Sequence, residues 1–86
     1  MHIQSKSDIR EFVRGLLRAN GDSDELADQD SLLLSGRLQS IDAVEIVVFL
    51  EQNFGVDFSE FGFDREQIDS VDAIYSLAES VAGKTG

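Results

Sequence analysis

The sequence predicts an all-α fold, a small bundle of three main helices plus one short helix. Apolar residues recur at helical spacing in three separate stretches, nothing shows the strict alternation of a half-buried strand, and no proline occurs anywhere. At 86 residues the chain is long enough for one compact core and too short for two, so residues 1–86 are read as a single domain.

The first helix is read from Ile9, Phe12, Val13, Leu16 and Leu17, which keep i, i+3, i+4, i+7, i+8 spacing, with Ser5 and Asp8 as a capping box and Asn20-Gly21 as the stop. From Asp22 to Gln39 no periodicity is sustained, which predicts a long loop between helices one and two, pinned to the core by Leu32, Leu33, Leu34 and Leu38. So long a loop in so small a domain calls for a function or for a short helical turn inside it, and both are expected, the turn around Asp24 to Ala27. The second helix spans about Ser40 to Asn53 and closes at Phe54-Gly55, where glycine can take the left-handed conformation. Asp64 and Gln67 resemble another capping box ahead of Ile68, which predicts the short helix. Ser70 then caps a last helix carrying Val71, Ile74, Leu77, Ala78 and Val81, and Gly83 to Gly86 form a fraying end. One shared core is expected from Ile9, Phe12, Val13, Leu16, Ile46, Val47, Leu50, Phe54, Ile74 and Leu77.

Seventeen acidic residues against seven basic give a net charge of −10, which repels nucleic acid and anionic membranes and favours protein partners with basic surfaces. The charge is uneven: residues 1–18 carry +2 and residues 19–86 carry −12. Lys6, Arg10, Arg14 and Arg18 recur every fourth residue along the first helix and are read as a solvated flank. Met1 to Lys6 lacks the apolar stretch of a signal peptide, and the longest apolar run, Ile46 to Leu50, is far below a membrane span, so a cytoplasmic location is expected, and the chain is read as a monomer. With no cysteine there is neither a disulfide framework nor a thiolate ligand, and any thiol chemistry must be borrowed.

The second helix carries two apolar faces. At about 100° per residue, Ala43, Ile46, Val47, Leu50 and Phe54 share one side, while Ile41, Val44 and Val48 lie roughly opposite, flanked by Glu45, Glu51 and Gln52. Helical geometry leaves two explanations open: the second stripe is buried because other segments wrap the helix, or it is an apolar docking patch rimmed by carboxylates. Ser40 stands at the helix N-terminus, where unpaired N–H groups and the helix dipole favour an anion, and Gly36 gives the preceding loop freedom. A serine there is also a common N-cap, and position alone does not separate the roles.

The segment Leu34-Ser35-Gly36-Arg37-Leu38-Gln39-Ser40-Ile41-Asp42-Ala43-Val44-Glu45-Ile46-Val47, followed by Leu50-Glu51-Gln52-Asn53-Phe54-Gly55-Val56, resembles the signature region of the acyl and peptidyl carrier proteins. In that family a loop ending in Asp-Ser-Leu or a close variant leads into a helix of the type Asp-x-Val-Glu-Leu and a Phe-Gly-containing end. The first helix, the first loop and the final helix also fall where the family has them. The resemblance implies that a phosphopantetheinyl transferase attaches 4'-phosphopantetheine from coenzyme A to Ser40. It further implies that Ile41, Val44, Glu45, Val48 and Glu51 form the partner face, and that acyl or aminoacyl groups ride on the arm as thioesters. Implied partners are an acyl- or aminoacyl-loading ligase and downstream acyltransferases, as in fatty-acid or secondary-metabolite biosynthesis. Gln39 stands where the family usually has Asp, removing a charge beside Ser40 and leaving Arg37 without its usual acidic neighbour. Ser35 to Ser40 and Phe61-Gly62-Phe63-Asp64-Arg65 resemble the stand-alone D-alanyl and aminoacyl carriers more than the fatty-acid type.

Other classes fit less well. Enzymatic activity is not expected, because His2 is the only histidine and no base for Ser40 is evident. No metal site is expected either: Asp22, Asp24, Asp28 and Asp30 crowd one segment, but Leu26 and Ala27 occupy positions where a calcium loop needs an oxygen ligand and then glycine, so these are read as carboxylates of a solvated loop. An acidic helical interaction domain without a prosthetic group shares the fold and the charge, and covalent modification of Ser40 separates it from a carrier.

Overall fold

The computed structural model of the chain describes residues 6–55 and 64–84, with the side chains of 81–84 left aside. Among the described residues there are three α-helices, α1 (Lys6–Ala19), α2 (Ser40–Phe54) and α3 (Val71–Lys84), and one 3-10 turn, Arg65–Ile68, just before α3. There is no strand among the described residues. The short helix expected before Ile68 is thus a single 3-10 turn, started where Asp64 N–H donates to Gln67 Oε1 at 2.8 Å and anchored by buried Ile68.

Each helix turns one face into a shared core. In α1, Ile9, Val13 and Leu17 recur every fourth residue and are buried, with Phe12 and Leu16 partly covered beside them. The expected stop holds: Gly21 takes φ 80°, Gly21 N–H donates to Arg18 O at 2.9 Å and Asp22 N–H to Leu17 O at 2.8 Å, a Schellman closure. The capping role expected of Ser5 falls outside the described residues. Gly55 closes α2 at φ 71° with its N–H on Leu50 O. Ser70 caps α3, its Oγ accepting Ala73 N–H at 3.0 Å. Val71, Ile74 and Ala78 bury that helix against α1 and the 3-10 turn, while the side chain of Val81 lies outside the described residues. Ile46 and Leu50 complete the core from α2, with Val47, Phe54 and Leu77 partly buried around it. Phe12 of α1 stacks on Phe49 of α2 with ring centroids 4.2 Å apart.

Residues 20–39 connect α1 to α2 as bends and turns, and two expectations for them are corrected. No helical turn forms at Asp24 to Ala27. Asp22 Oδ1 accepts Asp24 N–H at 3.0 Å and Asp30 Oδ2 accepts Ala27 N–H at 2.9 Å, so side-chain carboxylates take the donors a helical turn would need. A hydrogen-bonded turn forms later, at Leu33 to Gly36, with Gly36 at φ 86°. The leucines also divide: Leu32 and Leu38 reach the core, joined by Leu26, whereas Leu33 is only partly covered and Leu34 is 63% exposed.

Asp69, just before α3, decides that division. Its Oδ1 accepts the N–H groups of Leu32, Leu33 and Leu34 at 3.2, 2.7 and 2.8 Å, and its Oδ2 accepts Ser31 Oγ–H at 2.6 Å. Burial pushes this carboxyl upward, but the bonds from Ser31, Leu34, Leu33 and Leu32 outweigh it and hold its pKa below the usual value. A second tie runs the other way, Asp72 N–H of α3 donating to Asp28 O at 2.9 Å.

Candidate functional site

The N-terminus of α2 is set by a ring of three polar residues. Gln39, at φ −98° and ψ 172°, is the N-cap residue, and its N–H donates to Asp42 Oδ2 at 2.8 Å. Asn20, from the end of α1, donates through Nδ2 to the same Asp42 oxygen at 2.9 Å and accepts Gln39 Nε2–H on its Oδ1 at 3.2 Å. Asp42 is the one charged side chain buried among the described residues, and these bonds satisfy it. The start of α2 is therefore tied to the end of α1, and the cap falls one residue earlier than Ser40.

That displacement frees Ser40. It is the first helical residue and exposed, and its hydroxyl makes no hydrogen bond among the described residues. Three other serines are engaged: Ser31 donates to Asp69, Ser35 donates to Ser31 O at 2.6 Å, and Ser70 caps α3. The N-cap explanation of Ser40 thus fails for a specific reason, namely that the Asp42 carboxylate reaches back to the backbone of Gln39.

The preceding turn is held by charge. Arg37 makes a two-point contact with Asp22, Nε to Oδ2 at 2.9 Å and Nη2 to Oδ1 at 3.2 Å, and reaches Asp30 at 3.5 Å. With Gln39 before Ser40, Arg37 has no acid at that position, and its partners come instead from earlier in the connecting segment. Asp22 and Asp30 are likewise not merely solvated carboxylates. Arg37 holds the Asp22 carboxyl below its usual pKa. Asp28 pairs with Arg10 and Lys6, Arg10 being the main cause of its lowered pKa, and Lys6 also contacts Asp72. Half of the basic stripe on α1 therefore clamps the connecting segment instead of facing water alone. No group of acidic or histidine residues among those described is arranged to hold a metal ion.

Beyond Ser40, Ile41, Val44 and Val48 are 63, 55 and 41% exposed, and Glu45 and Glu51 are exposed beside them. The wrapping explanation of this stripe is excluded: other segments cover Ala43, Ile46 and Leu50 and leave the opposite side open. Two cavities flank Ser40. One of about 430 Å³ is lined by Leu33, Leu38, Gln39, Ser40, Ile41 and Arg65, and one of about 290 Å³ by Ser40, Ala43, Val44, Val47 and Arg65. Among the described residues neither has a carboxylate in its lining, in a chain of net charge −10, and Arg65 lines both.

Sequence reasoning missed Asn20, Asp42, Asp69 and Arg65. The spacing of Gln39 and Asp42 was a readable signal, because an acid three residues after the cap is the returning arm of a capping box. Asp69 and Arg65 act across the fold, and nothing local marks them. No family model matches the chain, and no curated protein or solved structure matches it.

Proposed function

We propose that this chain is an acyl carrier protein, holding 4'-phosphopantetheine on Ser40 and presenting acyl or aminoacyl thioesters to partner enzymes without catalysing a reaction itself. The observation that carries the proposal is the state of Ser40: an exposed hydroxyl, without a hydrogen bond among the described residues, on the first residue of a helix whose cap is made by its neighbours. The residues fit the group. The hydroxyl borders two openings with no carboxylate among the described residues that line them, and the phosphodiester would meet helix N–H donors. When bound, the arm supplies the terminal thiol that the cysteine-free chain lacks.

Attachment forms a bond between Ser40 Oγ and the pantetheine-bearing phosphorus of coenzyme A and breaks the bridging P–O bond. The adenosine bisphosphate leaves, and the hydroxyl proton passes to a base on the transferase. This chain contributes the placed hydroxyl and the exposed Ile41, Val44 and Val48 with Glu45 and Glu51, which suit a transferase, ligase or acyltransferase offering an apolar groove ringed by Arg and Lys. A monomer in the cytoplasm, of the stand-alone D-alanyl or aminoacyl type, is the setting proposed.

Incubation with coenzyme A and a phosphopantetheinyl transferase should add one phosphopantetheine mass to the wild type and none to Ser40→Ala. The experiment includes Gln39→Asp and a transferase from the source organism, because carboxylate in place of amide restores the family's usual charge while removing the donor to Asn20. If every protein with Ser40 stays folded and unmodified with either transferase, the acidic interaction domain replaces the carrier.

A further inference from the structure

We propose that Arg65 is the positioning residue for the arm, pairing through its guanidinium with the phosphodiester on Ser40. The inference rests on the carrier reading and adds a residue from outside the signature segment. Among the described residues, Arg65 is the only charged side chain lining either opening beside Ser40, and it lines both.

Its surroundings leave the cation available. Arg37 is committed to Asp22 and Asp30, and Lys6 and Arg10 to Asp28. Arg65 is exposed and makes no ion pair or hydrogen bond through its side chain among the described residues. Among the described residues Arg14 and Arg18 are equally unengaged, but they belong to α1 and border neither opening. The backbone under Arg65 is secured on both sides, by the Asp64 to Gln67 bond at 2.8 Å and by Ile68 in the core. The guanidinium therefore has a fixed base and, among the described residues, an unengaged head, and a phosphate diester is an anion that its donors match. Such a pair would bridge α2 and the 3-10 turn and fix where the arm leaves the surface. A neutral side chain at 65 would leave the diester on α2 alone.

The test uses the full chain carrying the arm, as wild type, Arg65→Gln and Arg65→Lys. In the wild type the side-chain Nε–H resonance of Arg65 should shift when the arm is attached, while those of Arg14 and Arg18 stay in place. The phosphorus resonance of the arm should differ between wild type and Arg65→Gln, with Arg65→Lys between them. That difference should shrink in about 1 M salt, where screening acts over roughly 3 Å. An unmoved Arg65 resonance in modified wild type overturns the pairing and leaves the carrier reading standing. Wild type that accepts no arm overturns both.

Discussion

The two sides of α2 are built from the same kinds of side chain and meet opposite surroundings. Ala43, Ile46 and Leu50 are buried on the side that meets α3 and the 3-10 turn, while Ile41, Val44 and Val48 stand open to water. Hydrophobicity draws both sides inward equally, so the difference comes from the neighbours: α1, the 3-10 turn and α3 supply one surface to pack against, and α2 can turn only one face toward it. An apolar stripe left over after the core is filled is available to a partner, and carboxylates at its edge select which partner.

The largest expected break in that comparison comes from the buried side. Leu50→Ala should cost roughly 2–5 kcal/mol in urea unfolding, whereas Val44→Ala and Val48→Ala should stay within about 0.5 kcal/mol of wild type. Equal losses on both sides would mean that the exposed stripe is packed in solution.

The next effect sharpens the contrast between helix and connecting segment. Asp69→Asn weakens a group that accepts the N–H groups of Leu32, Leu33 and Leu34 and should cost on the order of 2 kcal/mol. Amide exchange at Leu33 and Leu34 should speed up far more than at Ile46. The carboxyls of Asp22, Asp28 and Asp69 all lie below the usual aspartate value in the folded chain, so between the folded and unfolded pKa values the unfolded chain binds more protons. Stability should therefore be complete above about pH 5 and decline as pH falls through about 4 and below, with a shallower decline in Asp69→Asn. A stability profile flat down to pH 3 would count against these contacts.

The smallest effect on folding is expected at the rim. Glu45→Lys should leave the unfolding midpoint almost unchanged and slow association with a loading enzyme, by a factor that shrinks as salt rises. A salt-independent loss would place Glu45 inside the contact and not at its edge.

The sequence by itself determined the helices and their ends, because spacing and caps are local: Ile9 to Leu17, Gly21, Gly55 and Ser70 each act within a turn or two of their own position. It also marked Ser40 as a candidate, through a contiguous segment, and left its hydroxyl with two roles. Only the tertiary structure decided between them, by bringing Asn20 to Gln39 and Asp42 and so completing a cap that does not need Ser40. Burial was equally undecided in sequence, since Leu32 and Leu34 are the same residue two positions apart, and one is in the core and the other 63% exposed. The physical reason is that a carboxylate or guanidinium chooses partners by proximity in the folded chain. The bonds from Asp69 to Leu32, Leu33 and Leu34 span 35 to 37 residues and exist only once α3 has packed, and the same packing brings Arg65 beside Ser40.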